Sequence, residues 1–246
     1  MNRILSALSV LVILGAASAA PAPSSINAAV ADPARPQTDI QRDAQRKPAE
    51  MLIFAGIKPG MKVMDMIPGG GYFTRLFAKA VGPTGYVFAF QPAEWDGFLK
   101  GREPPINAVA LAYPNVTVIK APVNELKAPE PLDLVWTAQN YHDLKNGKPA
   151  DTALVNKAVF SALKPGGIYI VLDHAAEKGS GVRDTNTLHR IDEDVVKQEV
   201  TAAGFEFVSE SDALRNSADA RTVAVFDPSI RSHTDQFILK FRKPLH

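Results

Sequence analysis

The chain has 246 residues and no cysteine, with 27 Lys+Arg against 26 Asp+Glu and a formal net charge of +1. The missing cysteine excludes disulfide frameworks, zinc-thiolate and iron–sulfur sites, and thiol nucleophiles. Hydrophobic residues at 46% and charged residues at 22% suit one large globular domain, and the near-neutral balance gives no basic surface for nucleic acid.

Asn2-Arg3, an apolar run over residues 4–14 and Ala17-Ser18-Ala19 form the pattern of a cleaved secretory signal. The run is shorter than the roughly 18 apolar residues of a spanning helix. Cleavage after Ala19 is therefore expected, with export to the periplasm and no stable membrane anchor afterwards. Residues 20–38, rich in Ala, Pro and Ser, read as a flexible leader to a domain over 39–243. The sequence leaves the oligomeric state open.

Residues 39–56 read as helix, broken at Pro48 and stopped at Gly56. Residues 62–66 form a short buried strand, followed by a glycine turn and a helix over 72–81. Strands follow over 86–90, 116–119 and 132–136. A helix over 151–163 spaces Leu154, Val155, Ala158, Val159 and Ala162 at helical intervals. Lys164-Pro165-Gly166-Gly167 then turns the chain into an apolar strand over 168–172. Asp192-Glu193-Asp194 opens a helix with a cap and first-turn acids, and Gly204 stops it. Strands over 205–208 and 236–241 complete the chain. This alternation predicts an α/β domain: a mostly parallel, Rossmann-like sheet with helices on both faces.

The first strand ends in Asp65-Met66-Ile67-Pro68-Gly69-Gly70-Gly71-Tyr72-Phe73-Thr74. A strand, an acid, then glycines opening a helix is a nucleotide-site arrangement, because glycines admit a ligand to the backbone and the helix start offers free N–H groups. Neither a Walker A loop nor the G-x-G-x-x-G spacing is present.

Residues 63–74 resemble motif I of the class I S-adenosylmethionine (SAM) methyltransferases. Leu163-Lys164-Pro165-Gly166-Gly167 resembles that family's lead-in to its fifth strand, and Leu132-Asp133-Leu134-Val135-Trp136 with Asn140-Tyr141-His142 resembles the fourth strand and its loop. The resemblance spans about 46–243. It implies the seven-stranded class I methyltransferase sheet, five parallel strands closed by an antiparallel terminal pair. It also implies SAM as cofactor and methyl transfer to a small molecule. By the same resemblance Asp65 holds the methionine end, Gly69 and Gly71 admit the cofactor, Gln91 meets the ribose, and Asn140, in the loop after the fourth strand, is a further cofactor-binding residue. The leader, the Pro-Gly-Gly-Gly-Tyr turn, Asp173-His174 and Phe226-Asp227-Pro228 are similar to a subgroup of exported bacterial methyltransferase-like proteins.

Two residues depart from the family pattern. Ile67 stands where the first glycine belongs, and Gln91 stands where an acid normally takes the ribose hydroxyls. With export away from the cytosolic SAM supply, they keep a second reading open: a ligand-binding protein on a methyltransferase scaffold.

His142 and His174 follow strands and should face the crevice beyond the strand ends, where either is a candidate general base. His142, Asp143, Asp173, His174 and His189 are residue types that ligate zinc, iron or manganese. No spacing among them fixes a coordination geometry, and no metal site is expected. Arg190 reads as a surface salt-bridge residue, Asp192 as a helix cap and Trp136 as core. Arg42, Asp43, Arg46 and Lys47 read as a solvated face, or alternatively as a lid over the crevice.

Overall fold

The computed structural model describes residues 22–146 and 150–246. The secretory-signal reading falls on residues 1–19, outside the described residues. No described helix is long and apolar enough to cross a membrane.

Seven strands form one sheet: β1 (Lys62–Met66), β2 (Tyr86–Pro92), β3 (Val116–Ala121), β4 (Leu132–Ala138), β5 (Leu163–His174), β6 (Glu206–Ser211) and β7 (Gln236–Arg242). Their spatial order is β3-β2-β1-β4-β5-β7-β6. The strands β1 to β5 pair in parallel, while β7 runs antiparallel to both β5 and β6. The terminal pair is thus antiparallel as expected, but β7 lies inside the sheet. Phe237, Ile238, Leu239 and Phe241 are buried in β7, so both its faces are covered, whereas β6 exposes Phe207 and Val208 and forms the edge.

The α5 helix (Tyr72–Val81) buries Phe73, Leu76 and Phe77 against one face of the sheet. There the Phe73 ring lies 4.7 Å from that of Trp136, which is fully buried as the sequence predicts. On the other face α8 (Thr152–Ala162) and α9 (Glu193–Ala202) bury Val155, Val159, Val196 and Val200 against Tyr169, Leu239 and Phe241. Asp151 caps α8 by accepting from the backbone of Ala153 and Leu154, and Asp192 caps α9 by accepting from that of Asp194. Each fully buried Leu, Val or Phe side chain contributes about 1.5–3 kcal/mol.

The N-terminal segment corrects one expectation. Residues 22–38 are part of the fold rather than a flexible leader, with α1 at Ser24–Val30 and α2 at Gln37–Ile40. Ile26, Ala29 and Val30 make an i, i+3, i+4 stripe that packs in the α5 cluster. The alanine-rich composition that suggested a linker is also good helix-forming composition. The expected helix over 39–56 divides into α3 (Asp43–Arg46) and α4 (Pro48–Ala55), separated by Lys47 in the left-handed conformation.

Candidate functional site

The parallel strands point their C-terminal ends at one edge of the sheet, where the glycine turn and the loops after β2, β4 and β5 converge. Beyond β1, Ile67 adopts φ 63°. A β-branched residue there costs about 1–2 kcal/mol relative to the right-handed region. Three anchors hold it: its N–H donates to the Phe90 carbonyl at 2.9 Å, its own carbonyl accepts from Asn140 Nδ2 at 3.1 Å, and its side chain is buried among apolar neighbours. The turn therefore keeps a glycine-type backbone without a glycine at this position. Gly69 and Gly71 also have positive φ. A Cβ placed on Gly69 or Gly70 meets nothing within 4 Å, so open space lies over the turn. At Gly71, which precedes the first residue of α5, a Cβ would lie 2.7 Å from Val109 Cγ2.

Asp65 is buried beneath this turn, and its carboxylate accepts from Thr74 Oγ1 at 2.6 Å. Burial pushes its pKa up to about 7, against the opposing pull of the Thr74 hydrogen bond and the Arg46 charge. That carboxylate supports the turn from below through one of its two oxygens. The nearby cation is Arg46. Its guanidinium lies 4.8 Å from the Tyr72 ring centroid and donates to Gln139 Oε1 at 2.6 Å. Burial lowers the Arg46 pKa to about 10, which leaves it charged at neutral pH. Arg35 and Arg42 also approach the Tyr72 ring, and Tyr72 Oη donates to Asp43 at 2.6 Å. Residues 35–46 thus lie over the start of α5, which favours the lid reading of this charged stretch.

Gln91, near the end of β2, is 7% exposed and makes no side-chain hydrogen bond among the described residues. Asn140 is committed to structure: its Nδ2 donates to the Ala138 carbonyl at 2.6 Å as well as to Ile67. Sequence reasoning missed Gln139, which has φ 62° at the end of β4. It links Arg46 to Gln236 Oε1 at 2.9 Å, and Gln236 reaches Thr234 Oγ1, which lies 2.8 Å from His174 Nδ1. This polar chain crosses the ends of β4, β7 and β5. A positive-φ glutamine has no sequence signal of its own.

The two candidate histidines do come together, with ring centroids 6.2 Å apart. Their surroundings differ. Burial disfavours charge on His142, but Asp173 and Asp143 outweigh it and push its pKa up to about 10. Burial dominates at His174 and lowers its pKa to about 4. His189, which has φ 55°, sits beside them: its Nδ1 is 3.3 Å from His142 Nε2 and 3.7 Å from Asp143 Oδ1. Arg190 is buried, not at the surface; it forms a two-point pair with Asp219 at 2.8 and 3.2 Å and donates to the Ala175 and Val223 carbonyls. The site therefore has two halves: the glycine turn with Gln91 and Arg46, and a histidine–carboxylate cluster beyond β4 and β5.

This sheet order, with the glycine turn after β1, is the fold of the class I methyltransferases. A SAM-dependent methyltransferase from Aquifex aeolicus superposes with a TM-score of 0.54 at 19% identity, covering 82% of this chain and 97% of that one. One from Mesorhizobium loti gives 0.57 at 14% identity, covering 82% and 100%. The 4+2 cyclase SpnF gives 0.62 at 16% identity, covering 84% of each chain, so the fold by itself does not fix the reaction. No family model matches the chain.

Among curated proteins, the chain is 30% identical over 188 residues to the ubiquinone/menaquinone biosynthesis C-methyltransferase UbiE of Shewanella woodyi, covering 76% of this chain and 65% of that protein. The same enzyme of Ectopseudomonas mendocina is also 30% identical over 188 residues, of which 64% of its length is covered. The chain thus spans slightly less than two thirds of these curated relatives.

Proposed function

We propose that the protein is a SAM-dependent methyltransferase acting on a small molecule. The observation that carries this reading is the turn after β1, which keeps positive φ at Ile67, Gly69 and Gly71 and leaves open space over Gly69 and Gly70. The similarity to curated C-methyltransferases over 76% of the chain supports it, as does the fold shared with a Burkholderia thailandensis N-methyltransferase solved with its acceptor and S-adenosylhomocysteine.

In this reading Gly69 and Gly71 admit the cofactor and the free amide of Gln91 meets the ribose hydroxyls. Asp65 acts through Thr74 and the turn, and Asn140 through the Ile67 carbonyl. Arg46 supplies positive charge for the methionine carboxylate. The acceptor enters from the His142 and His174 side. Bound SAM would supply a sulfonium methyl for in-line transfer to the acceptor's nucleophile, with a neutral thioether as the leaving group. Alignment of the two reactants supplies most of the acceleration, on the order of 7–11 kcal/mol in favourable cases. Where the acceptor must lose a proton, His174 takes it in the tautomer whose Nδ1–H donates to Thr234 and whose Nε2 carries the lone pair.

We also propose export with cleavage after Ala19, on the residue pattern of the first nineteen positions. N-terminal sequencing of protein from the periplasmic fraction tests it, and a retained Met1-Asn2-Arg3 would refute cleavage. Calorimetry of the purified mature chain with SAM and S-adenosylhomocysteine tests the enzyme reading. Saturable heat with both ligands is expected. No heat at millimolar ligand would leave a scaffold without its cofactor.

A further inference from the structure

Three side-chain atoms from two separate loops meet at one point beyond β4 and β5. His142 Nε2 lies 3.3 Å from Asp143 Oδ1 and 3.3 Å from His189 Nδ1, and the last two are 3.7 Å apart. We infer that His142, Asp143 and His189 form a binding site for one divalent transition-metal ion of the zinc type. The inference is independent of whether the glycine turn binds SAM.

The donor set is two imidazoles and a carboxylate, the chemistry that suits zinc, iron or manganese and leaves coordination positions open. Spacing narrows the choice. Ligands about 2.0–2.1 Å from a tetrahedral ion lie roughly 3.3–3.4 Å from one another, against roughly 2.8–3.0 Å for neighbours in an octahedron. Two of the three observed separations, 3.3 and 3.3 Å, match the tetrahedral case and the third, 3.7 Å, is a few tenths of an ångström longer; none is as short as the octahedral spacing, and a fourth corner is left over. All three donor atoms lie within 4.8 Å of one another.

The surroundings are built for the same purpose. Asp173, fully buried, has Oδ1 at 2.8 Å from His142 Nδ1. With the Nδ1 proton held toward Asp173, an arriving ion displaces the Nε2 proton to solvent and takes that lone pair, the carboxylate–histidine–metal arrangement that fixes tautomer and ring orientation. Asn146 Nδ2 donates to Asp143 Oδ1 at 3.2 Å. His189 is held in its left-handed backbone conformation by its neighbours. The Leu188 carbonyl accepts from Val225, Ile191 donates to the His174 carbonyl, and Arg190 is locked to Asp219. The Phe226 ring stacks edge-on against the His189 ring at 4.8 Å. Left-handed strain of this kind persists where the surrounding structure over-determines it. His142 is buried, but the Asp143 and His189 side chains are about one-third exposed, so an ion has a path in from solvent.

The test uses the purified mature chain, stripped with a chelator and titrated with zinc chloride in a calorimeter, then with cobalt(II) in a spectrophotometer. One equivalent of zinc should bind, and cobalt should give the intense visible absorption of a tetrahedral ion. His189→Ala, at the exposed rim, should weaken zinc binding at least a hundredfold while leaving the far-UV circular dichroism unchanged. Asp173→Asn should weaken it about tenfold to a hundredfold, as an orienting partner does. Failure of the native chain to take up zinc stoichiometrically would overturn the inference. So would binding that His189→Ala and Asp143→Asn leave intact, because the ion would then sit elsewhere.

Discussion

Asp173 holds His142 at two points: one carboxylate oxygen accepts the His142 backbone N–H at 2.8 Å and the other lies 2.8 Å from His142 Nδ1. The second oxygen also accepts the His174 N–H at 2.7 Å. One buried side chain at the end of β5 therefore fixes the loop after β4. Asp173→Ala strands two backbone donors and the imidazole in a dry environment. It should lower unfolding free energy by about 3–5 kcal/mol, the usual cost of removing one partner from a buried charged pair. Urea denaturation measures this, and a change below 1 kcal/mol would mean that solvent already reaches the carboxylate.

Asp65 makes stability depend on pH. Its pKa is about 7 in the folded chain, against an ordinary value of 3.8. Between those values the unfolded chain has released a proton that the folded chain retains, so stability falls as pH rises from about 4 to 7 and then levels off. Asp65→Asn should remove that slope while still accepting from Thr74. The stability difference between native and variant protein, followed across this pH range, should therefore change steadily; a constant difference would contradict the assignment.

The glycines of the turn have separable roles. Gly71→Ala puts a methyl against Val109 at positive φ and should cost about 2–4 kcal/mol of stability. Gly69→Ala meets open space, so its stability cost should be only about 1–2 kcal/mol. Its larger effect should be on S-adenosylhomocysteine, whose approach the methyl obstructs. Equal loss of stability in the two variants, with cofactor affinity untouched in both, would show that the open space is not the ligand cradle.

Ile67 already adopts the backbone conformation a glycine would take there. Ile67→Gly should accordingly change S-adenosylhomocysteine affinity by less than about threefold, since strain relief acts on folding rather than on the open side of the turn. Stability should fall by about 1–3 kcal/mol, as lost burial outweighs the relieved strain. A tenfold gain in affinity would instead mark Ile67 as a block on the cofactor.

Much of the sheet was legible because strand and helix periodicities differ and because glycine turns punctuate them. The bounds of β1 and α5 matched the sequence expectation, and the β5 strand ran longer at both ends because its pairing partners continue. Helix α1 was missed: its apolar stripe is short and sits in a composition shared by linkers. At the site, only the positions of Gly69, Gly71, His142 and His174 beyond or at the strand ends were legible, from the strand–turn pattern. The contributions of Gln139, His189 and Asp173 were not, because they arise from residues 30 to 50 or more positions apart brought together by β4–β5 pairing and the Ala175–Ile191 bridge. Nor could sequence spacing show that Arg190 is buried, since its partner Asp219 lies 29 residues away.

The most direct test of cofactor binding is a crystal structure of the protein with S-adenosylhomocysteine. The ribose hydroxyls should lie within hydrogen-bond reach of the Gln91 amide, the amino-acid end should pass over Gly69 and Gly70, and its carboxylate should face Arg46. A ligand found away from the glycine turn, or a turn that stays empty at saturating S-adenosylhomocysteine, would contradict the proposed function.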